Sequence, residues 1–164
     1  MGRTMLDKPK TPQEGIARIL ALAGQVQVTE GIVMNQHRIN TYAAATLDKQ
    51  PIHIDLEYAA KSRFRSTIVH GHLLAGMVFG TMMKYLEPIR EEFPTAELIQ
   101  TDARYTLGFP VKEGSAIKIQ GKVTDPQAKE RTVSFVYVYD IYLGSKVVVK
   151  GSIGAAASFK NVKG

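Results

Sequence analysis

The 164-residue sequence predicts one α+β domain, an antiparallel sheet of about five strands wrapped around a single long buried helix. Three observations carry this expectation. From His72 to Leu86 the chain is apolar nearly all round, as a helix enclosed by other elements should be. Beyond Ala96 the period changes from helical to strand-like, in four segments rich in β-branched and aromatic residues. The last three of those segments are joined closely enough to form a meander of hairpins.

Residues 1–10 are polar and basic and read as a frayed terminus. Thr11-Pro12-Gln13-Glu14 then sets an N-cap followed by proline at the first helical position. Ile16, Ile19, Leu20 and Ala23 continue at helical spacing, and Gly24 is placed to stop the helix. Val26, Val28 and Ile32 to Met34 form a short extended piece. Asn35 caps a second helix with Ile39, Tyr42, Ala43 and Leu47 on its apolar face. It ends at Asp48, because Pro51 disfavours helical geometry at Gln50. Asp55 caps a short third helix through Leu56, Ala59 and Ala60, and a basic connector with Arg63 and Arg65 leads out of it.

The long helix is expected over about 72–92, with Gly76 and Gly80 on one face. Each glycine costs about 1 kcal/mol inside a helix, so close approach of another surface is the expected compensation. Pro88 and Pro94 mark its end. Strands are expected over 98–107, 116–124, 132–143 and 147–159, with turns at Gly114-Ser115, Asp125-Pro126 and Gly144-Ser145. This is the hotdog arrangement. Residues 1–23 form an extension carrying a short helix, and 24–164 the domain itself. A sheet curled around one helix leaves an outer strand unpaired, so copies are expected to join edge to edge as a homodimer or a higher even oligomer.

Composition narrows the function classes. The absence of cysteine excludes disulfides and thiolate metal sites and fits a reducing compartment. The net charge of +6 is spread along the chain rather than gathered in a stripe with aromatics, which argues against a nucleic-acid partner. A solvated basic surface and a phosphate-bearing small ligand both remain open. The N-terminus lacks the pattern of a signal peptide, and the longest apolar run, 73–78, is too short to span a bilayer. A soluble cytoplasmic protein, without membrane association, is therefore expected.

Asp48 and His53 lie five residues apart with Pro51 stiffening the turn between them. A carboxylate and an imidazole so held can share one water, one group taking a proton while the other returns one. The spacing alone fits equally a loop-solvating Asp48 and a satisfied, half-buried His53. Gly71 opens the long helix, where unpaired N–H groups and the positive dipole end could hold a developing oxyanion; a glycine that only eases the turn fits there too. His70, His72, Arg63 and Arg65 are the candidates for holding a substrate, His70 also as a partner of the loop. No metal is expected: there is no His-Glu-x-x-His run, and His70 and His72 would point apart on a helix.

The run Asp48-Lys49-Gln50-Pro51-Ile52-His53-Ile54-Asp55, with Ala59-Ala60 and then Thr67-Ile68-Val69-His70-Gly71, resembles the MaoC-like (R)-specific enoyl-CoA hydratases and dehydratases. Gln36, Ile39, Tyr42 and Ala43, together with Gln50, resemble the NodN-like branch, and Phe109-Pro110-Val111 with Gly114 is similar to a strand-ending motif of the family. The resemblance implies a hotdog homodimer acting on thioesters of coenzyme A or acyl carrier protein, with no cofactor beyond that carrier. It implies that Asp48 and His53 activate a water for addition to a trans-2-enoyl thioester, or run the reverse elimination from an (R)-3-hydroxyacyl thioester. It implies that the Gly71 N–H polarises the thioester carbonyl. Two positions depart from the family pattern: Leu47 stands for the usual glycine before the aspartate, and Gln50 for the motif asparagine. His72 occupies a place where an apolar residue is common. A non-catalytic acyl-thioester-binding module and a hotdog thioesterase are the competing functions.

Overall fold

The structure, a computed structural model, describes residues 10–160. The terminus expected to fray lies outside them except for Lys10. Helix α1 (Pro12–Leu20) opens on a capping box in which the Thr11 hydroxyl accepts from the Glu14 N–H and the Glu14 carboxylate accepts from the Thr11 N–H. Ile16 and Ile19 bury themselves in the core. Gly15 is required by close packing, because a Cβ there would lie 2.3 Å from the Phe159 ring. The helix stops at Leu20, short of Gly24. Gly24, at φ 77°, instead donates its N–H to the Val123 carbonyl and passes the chain into strand β1 (Val26–Val33).

Helix α2 (Gln36–Thr46) is capped by the Asn35 side chain and buries Ile39 and Ala43. Leu47, expected on that apolar face, is 79% exposed: at φ 63° it is the left-handed residue that ends the helix, which carries its side chain off the face. A one-turn helix not anticipated from the sequence, α3 (Pro51–Ile54), follows, with Pro51 at its first position rather than in a loop. Asp55 caps α4 (Leu56–Lys61) as expected. The long helix is two, α5 (Gly71–Tyr85) and α6 (Glu87–Glu92), broken at Leu86 because Pro88 has no N–H for the ladder. Glu92 pairs with Lys10 at 2.6 Å and Arg18 at 3.1 Å, tying α6 to the start of the chain.

Strands β2 (Glu97–Leu107), β3 (Ala116–Lys129), β4 (Thr132–Leu143) and β5 (Lys146–Ser158) join β1 in one antiparallel sheet of order β1-β3-β4-β5-β2. The expected turn at Asp125-Pro126 is a bulge inside β3, where the register shifts between Thr124 and Gln127 and Asp125 takes φ 47°; the reversal comes at Glu130, φ 52°. Alternate residues of β4 (Val133, Phe135, Tyr137, Tyr139 and Ile141) point inward with the buried face of α5, which carries Leu74, Val78 and Met82. This is the hotdog fold.

The sheet does not enclose α5 all round. His72, Gly76 and Gly80 are exposed, and nothing lies within 4 Å of a Cβ built on either glycine. Among the described residues, no surface approaches them as expected. Their open face borders β2, the edge strand, where Ile99 is 60% exposed.

Candidate functional site

Two short segments hold the site. Residues 67–69 run beside 111–113: the Val69 N–H donates to the Val111 carbonyl at 2.8 Å, and the Glu113 N–H to that of Thr67 at 3.0 Å. The α3 turn docks on this ladder through the Ile68 N–H, which donates to the Ile52 carbonyl at 3.2 Å. Gln36 locks the two together from α2. Its amide nitrogen donates to the His53 carbonyl at 2.8 Å, and its amide oxygen accepts from the buried Thr67 hydroxyl at 2.6 Å. A buried polar network satisfied at both ends fixes one geometry.

That geometry determines the tautomer of His53. The ring is buried, and Nδ1 lies 2.6 Å from the Ile68 carbonyl oxygen, which can only accept. Nδ1 therefore carries the proton, and in the neutral ring Nε2 keeps its lone pair for a reacting group. Asp48 reaches the same place from the end of α2, its side chain 34% exposed. One carboxylate oxygen of Asp48 and one ring nitrogen each of His53 and His70 lie within 4.8 Å of one another.

His70 takes no solvent-facing position. It is 1% exposed and stacks on His53 with ring centroids 3.8 Å apart and planes 27° from parallel, and the Tyr42 ring tilts over it at 4.9 Å. Its Nε2–H donates to the Asp48 backbone carbonyl at 3.0 Å. Burial pushes its pKa down against the smaller upward pull of that bond, and Nδ1 is buried without a partner. His70 is thus a neutral spacer that fixes the backbone of Asp48 and backs the ring of His53. The ligand atoms of Asp48, His53 and His70 are close enough to reach one ion, but in this arrangement Nδ1 of His53 and Nε2 of His70 are each engaged by a backbone carbonyl. Tyr42, whose hydroxyl pKa is raised by burial, then by Tyr105 and Asp48, completes the polar cluster.

Gly71 is the first residue of α5, and the first-turn N–H groups of a helix have no intrahelical acceptor. A Cβ on Gly71 would lie 2.3 Å from Cδ1 of Leu107, so glycine is what allows β2 to close over the helix end. Gly71 and His53 open on one cavity of about 230 Å³, walled by Leu107, Phe109, Pro110 and Val148. The Lys146 ammonium lies 3.4 Å from the centroid of the Phe109 ring. A ligand there would meet His53 at one wall and a helix N-terminus at another, with apolar side chains excluding water between them; Asp48 reaches His53 but does not itself line this cavity.

The other predicted binding residues scatter. His72 lines a neighbouring cavity instead, and its Nδ1 hydrogen-bonds the Tyr105 hydroxyl. Arg63, over the Phe64 ring at 4.7 Å, and Arg65, at φ 55°, are exposed on the connector from α4 and line neither this cavity nor the one beside His72. His70 lies behind the cavity wall rather than in it. The Gln36–Thr67 clamp was not assigned from sequence. Its trace was a polar residue at position 36 in line with Ile39 and Ala43 on the apolar face of α2.

This fold and site coincide with a family match. The model of the MaoC like domain matches residues 19–142, and the chain belongs to that family. Against 3-hydroxyacyl-thioester dehydratase Z of Mycobacterium tuberculosis it is 36% identical over 66 residues, 40% of this chain and 44% of that protein. The chain thus aligns with under half the length of that relative. Among solved structures, the R-hydratase PhaJ1 from Pseudomonas aeruginosa superposes with a TM-score of 0.65 at 23% identity, covering 85% of this chain and 84% of that one. The HadBC (3R-hydroxyacyl-ACP dehydratase) complex of Mycobacterium tuberculosis gives 0.69 at 11% identity, over 82% and 96%. These likenesses establish the hotdog fold. The family match speaks for the family as a whole, not for its NodN-like branch. Among the described residues, no helix is long and apolar enough to cross a membrane.

Proposed function

We propose that the protein is a hydro-lyase that adds water to trans-2-enoyl thioesters of coenzyme A or acyl carrier protein, or eliminates it from (R)-3-hydroxyacyl thioesters. The observation that carries this reading is His53: its Nδ1 is locked on Ile68, its other nitrogen is free, and it shares a cavity with the Gly71 helix end. In the hydration direction, Asp48 and His53 hold one water and one of them takes its proton. The water oxygen bonds to C3, and the electron pair of the C2–C3 double bond moves toward the thioester. The oxyanion that develops is held at the N–H of Gly71, and a proton delivered to C2 completes the addition. The steps need no metal or redox cofactor; the carrier is part of the substrate, and the exposed Arg63 and Arg65 supply positive charge for its phosphates. The dehydratase relative and the R-hydratase neighbour support the same chemistry.

The unit that acts is a homodimer in this reading, joined edge to edge along the sheet, and it works in the cytoplasm. The test is loss of the enoyl-thioester absorbance of crotonyl-CoA. Asp48→Asn and His53→Ala should each slow it by about 10²–10⁴-fold without lowering the unfolding midpoint to match. Full activity in either variant, or thiol release in place of hydration, overturns the assignment.

A further inference from the structure

Beside the Gly71 cavity lies a second one, of about 320 Å³, between the first turns of α5 and the edge strand β2. An alkyl tail would call for apolar walls, and Ala75, Phe79, Ala103 and Ile153 supply part of such a lining. The remainder is Gly76 and the polar side chains of His72, Gln100, Tyr105 and Tyr139; among the described residues, no aspartate or glutamate lines the cavity.

His72 and Tyr105 are bonded to each other through Nδ1 and the phenol oxygen, and this pairing always leaves a donor over. If the Tyr105 hydroxyl donates to Nδ1, the proton of the neutral ring sits on Nε2. If Nδ1–H donates to the phenol oxygen, the hydroxyl proton is free. With the Gln100 amide nearby, the cavity offers two donors and no fixed negative charge. A site built to bond an oxygen strongly rejects a ligand that lacks one, because its own polar groups are then left unpaired.

The placement relative to Gly71 sets the reach. His72 follows Gly71, and Tyr105 sits two residues before Leu107 on the same face of β2, about 7 Å along the strand. From a carbonyl held at Gly71, that span takes about five carbon–carbon bonds of ~1.5 Å in zigzag.

We propose that this cavity is a subsite for a terminal carboxylate on the acyl group, so that the preferred thioester is a dicarboxylic acyl chain of about six carbons rather than a plain alkyl chain. The proposal rests on the hydro-lyase reading for its substrate class, but its test does not need turnover. Binding of adipoyl-CoA and hexanoyl-CoA is compared by calorimetry on the full chain; both are saturated, and they differ only in a terminal carboxylate for a methyl. Adipoyl-CoA should bind at least tenfold more tightly. In Tyr105→Phe and in His72→Leu the ratio should fall to within twofold. Because the comparison is between two ligands on one protein, a variant that merely loosens the fold weakens both and leaves the ratio. Equal or tighter binding of hexanoyl-CoA, no binding of either, or a preference that survives both substitutions overturns the subsite. Turnover of trans-2-hexenoyl-CoA and 2,3-didehydroadipoyl-CoA is followed alongside. A carboxylate preference in binding with neither compound hydrated leaves the subsite standing and removes the hydro-lyase reading. Hydration of the hexenoyl compound without any preference does the reverse.

Discussion

Leu47 is the residue at which the site stores strain, and replacing it by glycine should stabilise the protein. It sits at φ 63°, ψ 9°, directly before Asp48, with 79% of its surface exposed. The left-handed conformation costs an L-residue about 1–2 kcal/mol, which glycine does not incur. Glycine gives back about 0.5–1 kcal/mol through the greater freedom of the unfolded chain. The one-fifth of the side chain that is covered is worth about 0.3–0.6 kcal/mol, from ~1.5–3 for a fully buried leucine. At the midpoints of these terms the balance for Leu47→Gly is about 0.3 kcal/mol in favour of the variant, a rise of about 1 °C in Tm for a chain of this length. The sign is better tested by a ranking than by one number. Asparagine tolerates the left-handed region, and a β-branched residue there is an outlier. Unfolding midpoints should therefore fall in the order Leu47→Gly, Leu47→Asn, wild type, Leu47→Val. A glycine variant less stable than wild type would refute the reasoning and show that the exposed leucine is covered in solution.

Gly71→Ala drives a methyl into Leu107, whose half-exposed side chain can swing away, so stability should fall by about 1 kcal/mol while enoyl-thioester turnover falls tenfold or more; Leu107→Ala should restore the midpoint, as urea unfolding of the pair will show. Gly151→Ala is a harsher change, because its Cβ would lie 2.5 Å from the Arg104 backbone oxygen and 2.6 Å from the Tyr139 hydroxyl; a loss above about 2 kcal/mol is expected in the same assay. His70 gives a pH dependence of defined sign. Burial holds its folded pKa below the ordinary 6.5, so the unfolded chain binds more protons as pH falls through that value. Its contribution is complete above about pH 6.5 and lost progressively below, down to the folded pKa. His70→Gln, which keeps a donor for the Asp48 carbonyl, should flatten urea midpoints measured from pH 8 to pH 5; an unchanged slope would show that His70 does not titrate in this way.

Patterns that repeat were legible in the sequence, and features set by one residue meeting another were not. The strands beyond Ala96 and the apolar stripe of α5 each rest on several residues at one period, so single exceptions do not hide them, and the Thr11 and Asp55 caps are local contacts within one turn of chain. The break at Leu86 turned on a single proline being strong enough to end a helix already rich in contacts. Asp125-Pro126 has turn chemistry, yet pairing with β4 on both sides absorbs it as a bulge. At the site, Asp48, His53 and Gly71 came from spacing and the family resemblance. The orientation of His53 depends on Gln36, Thr67 and Ile68, whose contacts form only when three segments meet. His70 read both as a substrate residue and as a partner of the loop; the register of 67–69 on 111–113 turns it inward, where it bonds the Asp48 carbonyl.

The two departures from the family motif do not weigh equally on the turn that carries Asp48. Gln50 contributes through its main chain: its carbonyl accepts the His53 N–H at 2.9 Å, while its exposed side chain makes no capping bond. Asparagine or glutamine can make that backbone contact alike, so the substitution leaves the path from Pro51 to His53 intact. Leu47 does carry a conformational cost, and the cost falls on the residue that aims Asp48. What opposes relaxation there is His70, whose ring, 1% exposed, donates to the Asp48 carbonyl. A bond of that kind is worth about 1 kcal/mol, and breaking it leaves the buried His70 Nε2–H unsatisfied at a further cost of about 1–3 kcal/mol. That exceeds what the turn would gain by relaxing. The Asp48 backbone is therefore held by the α5 side of the site, against the preference of its own loop.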